Sequence, residues 1–114
     1  MDGQPSFLAS YLAPLLPLLL DEDLVEIAIN PDGQVWIERR GAEHMDLVPQ
    51  LQIGRALSVN LGQAIASTVG AQFSERKPTV SGKILWENIP VRAQVIAPPI
   101  VEGGMALSLR PFKT

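Results

Sequence analysis

Ile89-Pro90-Val91-Arg92-Ala93-Gln94-Val95-Ile96-Ala97 alternates side chains about a period of two, the pattern of a strand with one buried face. Val91, Ala93, Val95 and Ala97 share one side, and Arg92, Gln94 and Ile96 share the other. Pro98-Pro99 ends the strand. Glu87-Asn88 ahead of it forms a tight turn that joins it to a shorter strand over residues 83–87. Gly103-Gly104 releases a last strand over 105–110, with Met105, Leu107 and Leu109 inward and Ala106, Ser108 and Arg110 on the opposite face. Two charged residues, Arg92 and Arg110, therefore interrupt otherwise apolar strands.

Upstream, residues 24–30 alternate as Val25, Ile27 and Ile29 on one side and Glu26 and Ala28 on the other. Asn30-Pro31-Asp32-Gly33 is a strong hairpin signal, because Pro presets the first turn dihedral and Gly accepts positive φ. The partner strand spans 34–39, Arg40-Gly41 turns the chain, and 43–48 reads as a weaker third strand with Met45 and Leu47 inward and His44 outward. Pro49 opens a helical pattern that ends near Val69 or Ala71, with a stripe of Ile53, Leu57, Leu61, Ala64, Ile65 and Thr68. Gly54 and Gly62 in that pattern each cost about 1 kcal/mol against Ala, which close packing on a sheet can offset. Gly70 reads as its C-cap, and Phe73 to Val80 as a connector in which Pro78 stops any helix.

At the start, residues 1–5 read as a frayed end, and Ser6 as the cap of a helix with Phe7, Leu8, Tyr11, Leu12 and Leu15 behind it. Pro14 ends that helix near Ala13 and opens a further turn or two. Leu15, Leu16, Leu18, Leu19 and Leu20 cannot all face one core, so some meet another surface. The resulting expectation is an α+β fold, a mainly antiparallel sheet of about six strands with N-terminal helices and one long helix packed on one face, PAS-like in outline. Residues 1–20 form the helical lead-in and 21–114 the sheet unit.

The length of 114 residues suits one domain with one core. An apolar share of 46% argues against disorder, and a net charge of −3 argues against a nucleic-acid-binding surface. With no cysteine and one histidine, thiolate sites and cysteine nucleophiles are excluded, and a zinc site is disfavoured. The most hydrophobic stretch, 12–20, holds two prolines and is far short of the ~20 residues of a spanning helix. The segment before it has no basic residue, unlike a signal peptide. A soluble, cytoplasmic domain is expected.

Ser81-Gly82-Lys83 is not a phosphate loop, since Lys77 stands where Walker A needs Gly and Ile84 where it needs Ser or Thr. No other self-sufficient active site is present. Asp21-Glu22-Asp23 reads as a solvated connector rather than a metal site. The arginines remain. Two guanidinium forks on one sheet face could form half of an anion site; alternatively each pairs with a surface carboxylate.

Several segments together resemble the N-terminal domain of the hexameric traffic ATPases of type IV secretion and conjugation, within the type II/type IV secretion ATPase superfamily. These are 15–21 leading into 23–30, then Pro31-Asp32-Gly33-Gln34-Val35-Trp36-Ile37-Glu38, then Lys77-Pro78 and Gly82, then Val91-Arg92-Ala93-Gln94 running to Pro98-Pro99, and Leu107-Ser108-Leu109-Arg110. They follow in order over nearly the whole chain. One departure is the Glu87-Asn88 turn, where the family usually has a Gly-containing turn.

The resemblance implies a single N-terminal domain over 1–114, followed in the family by a RecA-like domain that holds Walker A and Walker B. It implies ATP, with Mg, bound mainly by that second domain, and Arg92 and Arg110 reaching the nucleotide phosphates. The 114 residues alone would not be catalytic. Implied partners are the RecA-like domain, other copies in a homohexamer, and secretion-system components at the inner membrane, with no direct nucleic acid binding. The location would be cytoplasmic and peripheral to that membrane. The rival expectation is a free-standing PAS-like sensory or protein-interaction module; within the superfamily, a type II secretion or pilus-motor ATPase is the alternative.

Overall fold

The turn at residues 30–33 closes as its chemistry demands. Gly33 adopts φ 94° and its N–H donates to the Asn30 carbonyl at 2.8 Å, while the Asp32 carboxylate accepts from the Gln34 N–H at 2.9 Å. In this structure, a computed structural model describing residues 7–74 and 76–112, that turn joins β1 (Leu24–Ile29) to β2 (Val35–Arg39). A two-residue strand, β3 (Asp46–Leu47), follows. The helix α3 (Arg55–Thr68) then crosses to β4 (Thr79–Trp86), β5 (Ile89–Ile96) and β6 (Ala106–Pro111). All strand pairs are antiparallel, in the order β3-β2-β1-β6-β5-β4. The first and last long strands are thus neighbours at the centre of one six-stranded sheet.

The lead-in is α1 (Phe7–Leu12), a 3-10 turn over Ala13–Leu15, and α2 (Leu16–Leu19). Pro14 and Pro17 each occupy an opening position of a new segment, where a missing N–H is harmless. Leu8, Leu12, Leu15 and Leu19 are buried, each contributing about 1.5–3 kcal/mol by leaving water. Leu20 stays 68% exposed and Leu16 and Leu18 half-buried, so the leucines do divide between core and surface. The proposed cap Ser6 lies outside the described residues.

Four sequence expectations shift. In β1 the register slips between Leu24 and Glu26, so Val25 is the extra residue of a bulge and Leu24, not Val25, enters the core. In β3, Leu47 stands opposite Trp36 on the outer face and is exposed, and Met45 is only half-buried; Val48 is the residue that turns inward. The helix begins at Arg55 rather than near Pro49. A Cβ on Gly33 would run into the Gly54 backbone, and the Ile53 N–H donates to the Gly33 carbonyl at 3.0 Å, so residues 49–53 are pinned to the first hairpin instead. Gly54 takes φ 84°, a turn conformation, at the N-cap. Finally, β4 starts at Thr79, four residues earlier than the pattern suggests.

The helix ends in a Schellman motif. The Ala71 N–H donates to the Ala66 carbonyl and the Gly70 N–H to the Ser67 carbonyl, with Gly70 at φ 77°. Its innermost face is Ser58, Gly62 and Ala66 beside Leu61 and Ile65, while Thr68 is exposed. This ridge of small residues lets the helix axis approach the sheet: a Cβ on Gly62 would come 2.9 Å from Val95 Cγ1. The core lies between this helix layer and the inner sheet face of Ile27, Val35, Ile84, Val91 and Leu109.

Candidate functional site

Strand alternation places Arg92 and Arg110 on the sheet face opposite the core, and register places them directly across from one another on β5 and β6. The same count continues into β4. The two-residue turn Glu87-Asn88 pairs Trp86 with Ile89, and three steps back it pairs Lys83 with Arg92. Lys83, Arg92 and Arg110 therefore form a row of cations across three adjacent strands. Like charges directly opposite each other destabilise a sheet, so the row needs a compensating reason. The turn itself forms without glycine: Glu87 and Asn88 take φ 52° and 63°, the arrangement of a type I′ hairpin.

The three cations are not equivalent. Arg110 Nε lies 3.4 Å from Glu26 Oε1 on β1, and its Nη2 lies 3.9 Å from Glu38 Oε1 on β2. Ser108 Oγ, two residues before Arg110 on the same face, donates to Glu26 Oε2 at 3.0 Å. Glu26 thus bridges both polar residues of the Ser108-Leu109-Arg110 segment. Arg92 and Lys83 have no carboxylate within ion-pair distance among the described residues. Both instead stand 5.8 Å from the ring centre of Phe112, which follows β6 and is anchored by its N–H on the Pro90 carbonyl at 2.8 Å.

A third arginine joins them from the other half of the sheet. At the end of β2, Arg39 is held by Asp21 at 2.9 Å, and that bond raises its already high pKa. Arg40, next in sequence, donates its N–H to the Asp23 carbonyl, and its Nη2 reaches the Glu22 carbonyl only at 3.4 Å. Arg40, Arg92 and Arg110 line one open cavity of about 390 Å³ with Leu24, Val25, Pro111 and Phe112. The bulge in β1 supplies Leu24 and Val25, its two apolar wall residues from that strand. A larger recess of about 750 Å³ adjoins it, sharing Arg40 and Phe112, but carries Glu22 and Asp23. The smaller cavity, lined by three arginines and no carboxylate, is the more cationic of the two.

Of the site, sequence reasoning found Arg92 and Arg110 and the face they share. It missed Lys83, Arg40 and Phe112. Lys83 could have been reached by counting back from the Glu87-Asn88 turn. Arg40 and Phe112 lie past strand ends, where alternation has no force. His44 is exposed and outside this cluster, and among the described residues no His, Cys, Asp and Glu group could hold a metal ion. No helix among them is long and apolar enough to cross a membrane.

Comparison with known proteins bears on this arrangement. No protein-family model matches the chain. The type IV secretion system protein VirB11 of Brucella suis is 33% identical over 94 residues, 82% of this chain and 25% of that protein. PtlH, a type IV secretion system protein of Bordetella pertussis, is 31% identical over 115 aligned positions, 96% of this chain and 32% of that protein. The conjugal transfer protein TrbB of Rhizobium radiobacter is 31% identical over 73% of this chain. The fold matches the crystal structure of the VirB11 ATPase from the Brucella suis type IV secretion system in complex with sulphate. The TM-score is 0.76 at 29% identity, covering 94% of this chain and 32% of that one. The chain spans about a quarter to a third of the length of these relatives.

Proposed function

We propose that this chain, a homologue of part of the VirB11, PtlH and TrbB secretion and conjugation proteins, is the N-terminal domain of an ATPase that powers type IV secretion or conjugative transfer. In this reading residues 1–114 form one domain that contacts nucleotide and takes part in a ring of six. ATP with its Mg is held mainly by a RecA-like domain. Arg92 and Arg110 reach its phosphates across the domain boundary. The exposed Phe7 and Leu20 suit contact with neighbouring copies or with the RecA-like domain. The assembly works at the cytoplasmic side of the inner membrane with other secretion components.

The observation that carries this reading is the convergence of Arg40, Arg92 and Arg110 on one cavity. The homology favours it over a free-standing sensory module, which has no need of three guanidinium groups in one recess. Sulphate in the related ATPase crystal is an anion of the kind such a cavity suits. The test is calorimetric titration of the chain with ATP and with tripolyphosphate, for the wild type, Arg92→Ala and Arg110→Ala. Weaker binding in both variants supports the reading, and unchanged binding in both removes it.

A further inference from the structure

The uneven charge balance within the cation row shows more than a pair of arginines. Arg110 is met by two carboxylates, Glu26 and Glu38. Arg92 and Lys83 are met by none among the described residues, and both lean on the Phe112 ring. Along this row the uncompensated positive charge therefore sits toward β4 and β5, not at Arg110. Lys83 is exposed, stands directly opposite Arg92, and shares its face and its aromatic neighbour. Its removal from water is slight, so its ammonium remains a hydrated, mobile point charge able to meet an oxygen from several directions.

We propose that Lys83 is a third phosphate-contacting residue, and that the row Lys83–Arg92–Arg110 selects a linear polyphosphate tail over a single phosphate. This rests on the nucleotide reading given above. Neighbouring strands lie about 4.8 Å apart, so cations on three of them extend over roughly 10 Å. One phosphate reaches one or two of these groups. A triphosphate lying across the strands reaches all three, beginning at the uncompensated Lys83–Arg92 end. Arg110 then exchanges its carboxylates for the far phosphate. A half-exposed ion pair is weaker than a charge-assisted hydrogen bond to a phosphate oxygen, so that exchange is favourable.

The test is titration of the chain at low salt with tripolyphosphate, ATP and orthophosphate, for the wild type, Lys83→Gln, Lys83→Arg and Arg92→Ala. Thermal unfolding of each variant serves as the folding control. Lys83→Gln should weaken tripolyphosphate and ATP binding about 3- to 10-fold and orthophosphate binding less than about 2-fold, and Lys83→Arg should restore it. Wild-type affinity in Lys83→Gln, alongside weakened binding in Arg92→Ala, would overturn the role of Lys83 and leave the nucleotide reading standing. Equal losses for tripolyphosphate and orthophosphate would overturn the selection of a chain-like anion. Unchanged binding in Arg92→Ala and Lys83→Gln together would overturn both proposals. ATP binding as tight as tripolyphosphate assigns the row to a nucleotide tail; ATP binding much weaker than tripolyphosphate overturns that source.

Discussion

Arg92 and Arg110 face each other across β5 and β6, yet among the described residues only Arg110 of the two has carboxylates beside it. Two identical side chains in register thus carry different net charge environments. The difference comes from β1 and β2, which bring Glu26 and Glu38 to Arg110, while among the described residues no carboxylate lies within ion-pair distance of Arg92 or Lys83.

Arg92→Ala should weaken tripolyphosphate binding by about 10-fold or more, the value of one charge-assisted contact. Arg110→Ala should weaken it less, because Arg110 must first leave Glu26 and Glu38. Stability should respond in the opposite sense. Removing Arg92 relieves repulsion from Lys83 and Arg110 and should leave the domain unchanged or more stable by up to ~1 kcal/mol. Calorimetric titration and urea denaturation check the two halves of this expectation, and a marked loss of stability in Arg92→Ala would contradict it.

Glu26→Gln keeps an oxygen for the Ser108 hydroxyl and removes the charge beside Arg110. Tripolyphosphate affinity should rise about 2- to 5-fold, in line with the small worth of an exposed ion pair. The gain should shrink when Arg110→Ala is also present. A lower affinity in Glu26→Gln would mean that the carboxylate orients Arg110 rather than competing for it.

The Glu87-Asn88 turn places both residues at positive φ, which suits Asn and Gly and strains Glu. Replacing the pair by Glu87→Asn with Asn88→Gly should stabilise the domain by about 1 kcal/mol. The urea midpoint should move up with no change in the slope of the transition.

Gly62→Ala tests helix-to-sheet packing. Helix propensity alone favours Ala by about 1 kcal/mol, but the new Cβ would run into Met105 Sδ and come 2.9 Å from Val95 Cγ1. Overpacking of this kind costs about 1–3 kcal/mol, so the net effect should be destabilising. In a double-mutant cycle with Val95→Ala the two changes should couple by at least ~0.5 kcal/mol. Independent effects would show that the ridge yields without touching Val95.

Much of the fold was legible because turn chemistry and strand period agree. Residues 30–33 and the alternation of 89–97 fixed two hairpins and the face of Arg92. What escaped was set by contacts distant in sequence. The bulge at Val25 depends on how β1 meets β2, and the late start of α3 depends on Gly33 meeting Gly54. Residues 79–80 read as connector behind Pro78 and the strand pattern begins only at Lys83, yet Gly82 lies within β4 and is what lets Val69 close over the strand: a Cβ there would come 2.6 Å from Val69 Cγ1. Arg40 lies past the end of β2, where alternation assigns no face, and joins the site by lining the same cavity as Pro111 and Phe112.

The position of β6 has a consequence for synthesis. Residues 106–111 fill the centre of the sheet, between β1 and β5. A nascent chain that has not yet released them from the ribosome exposes bare edges on both strands at once. The three-stranded unit β1–β3 and the β4–β5 hairpin can form early, but their joining waits for β6. Glu26 meets Ser108 and Arg110 only at that joint, so this contact is also a marker that the sheet has closed.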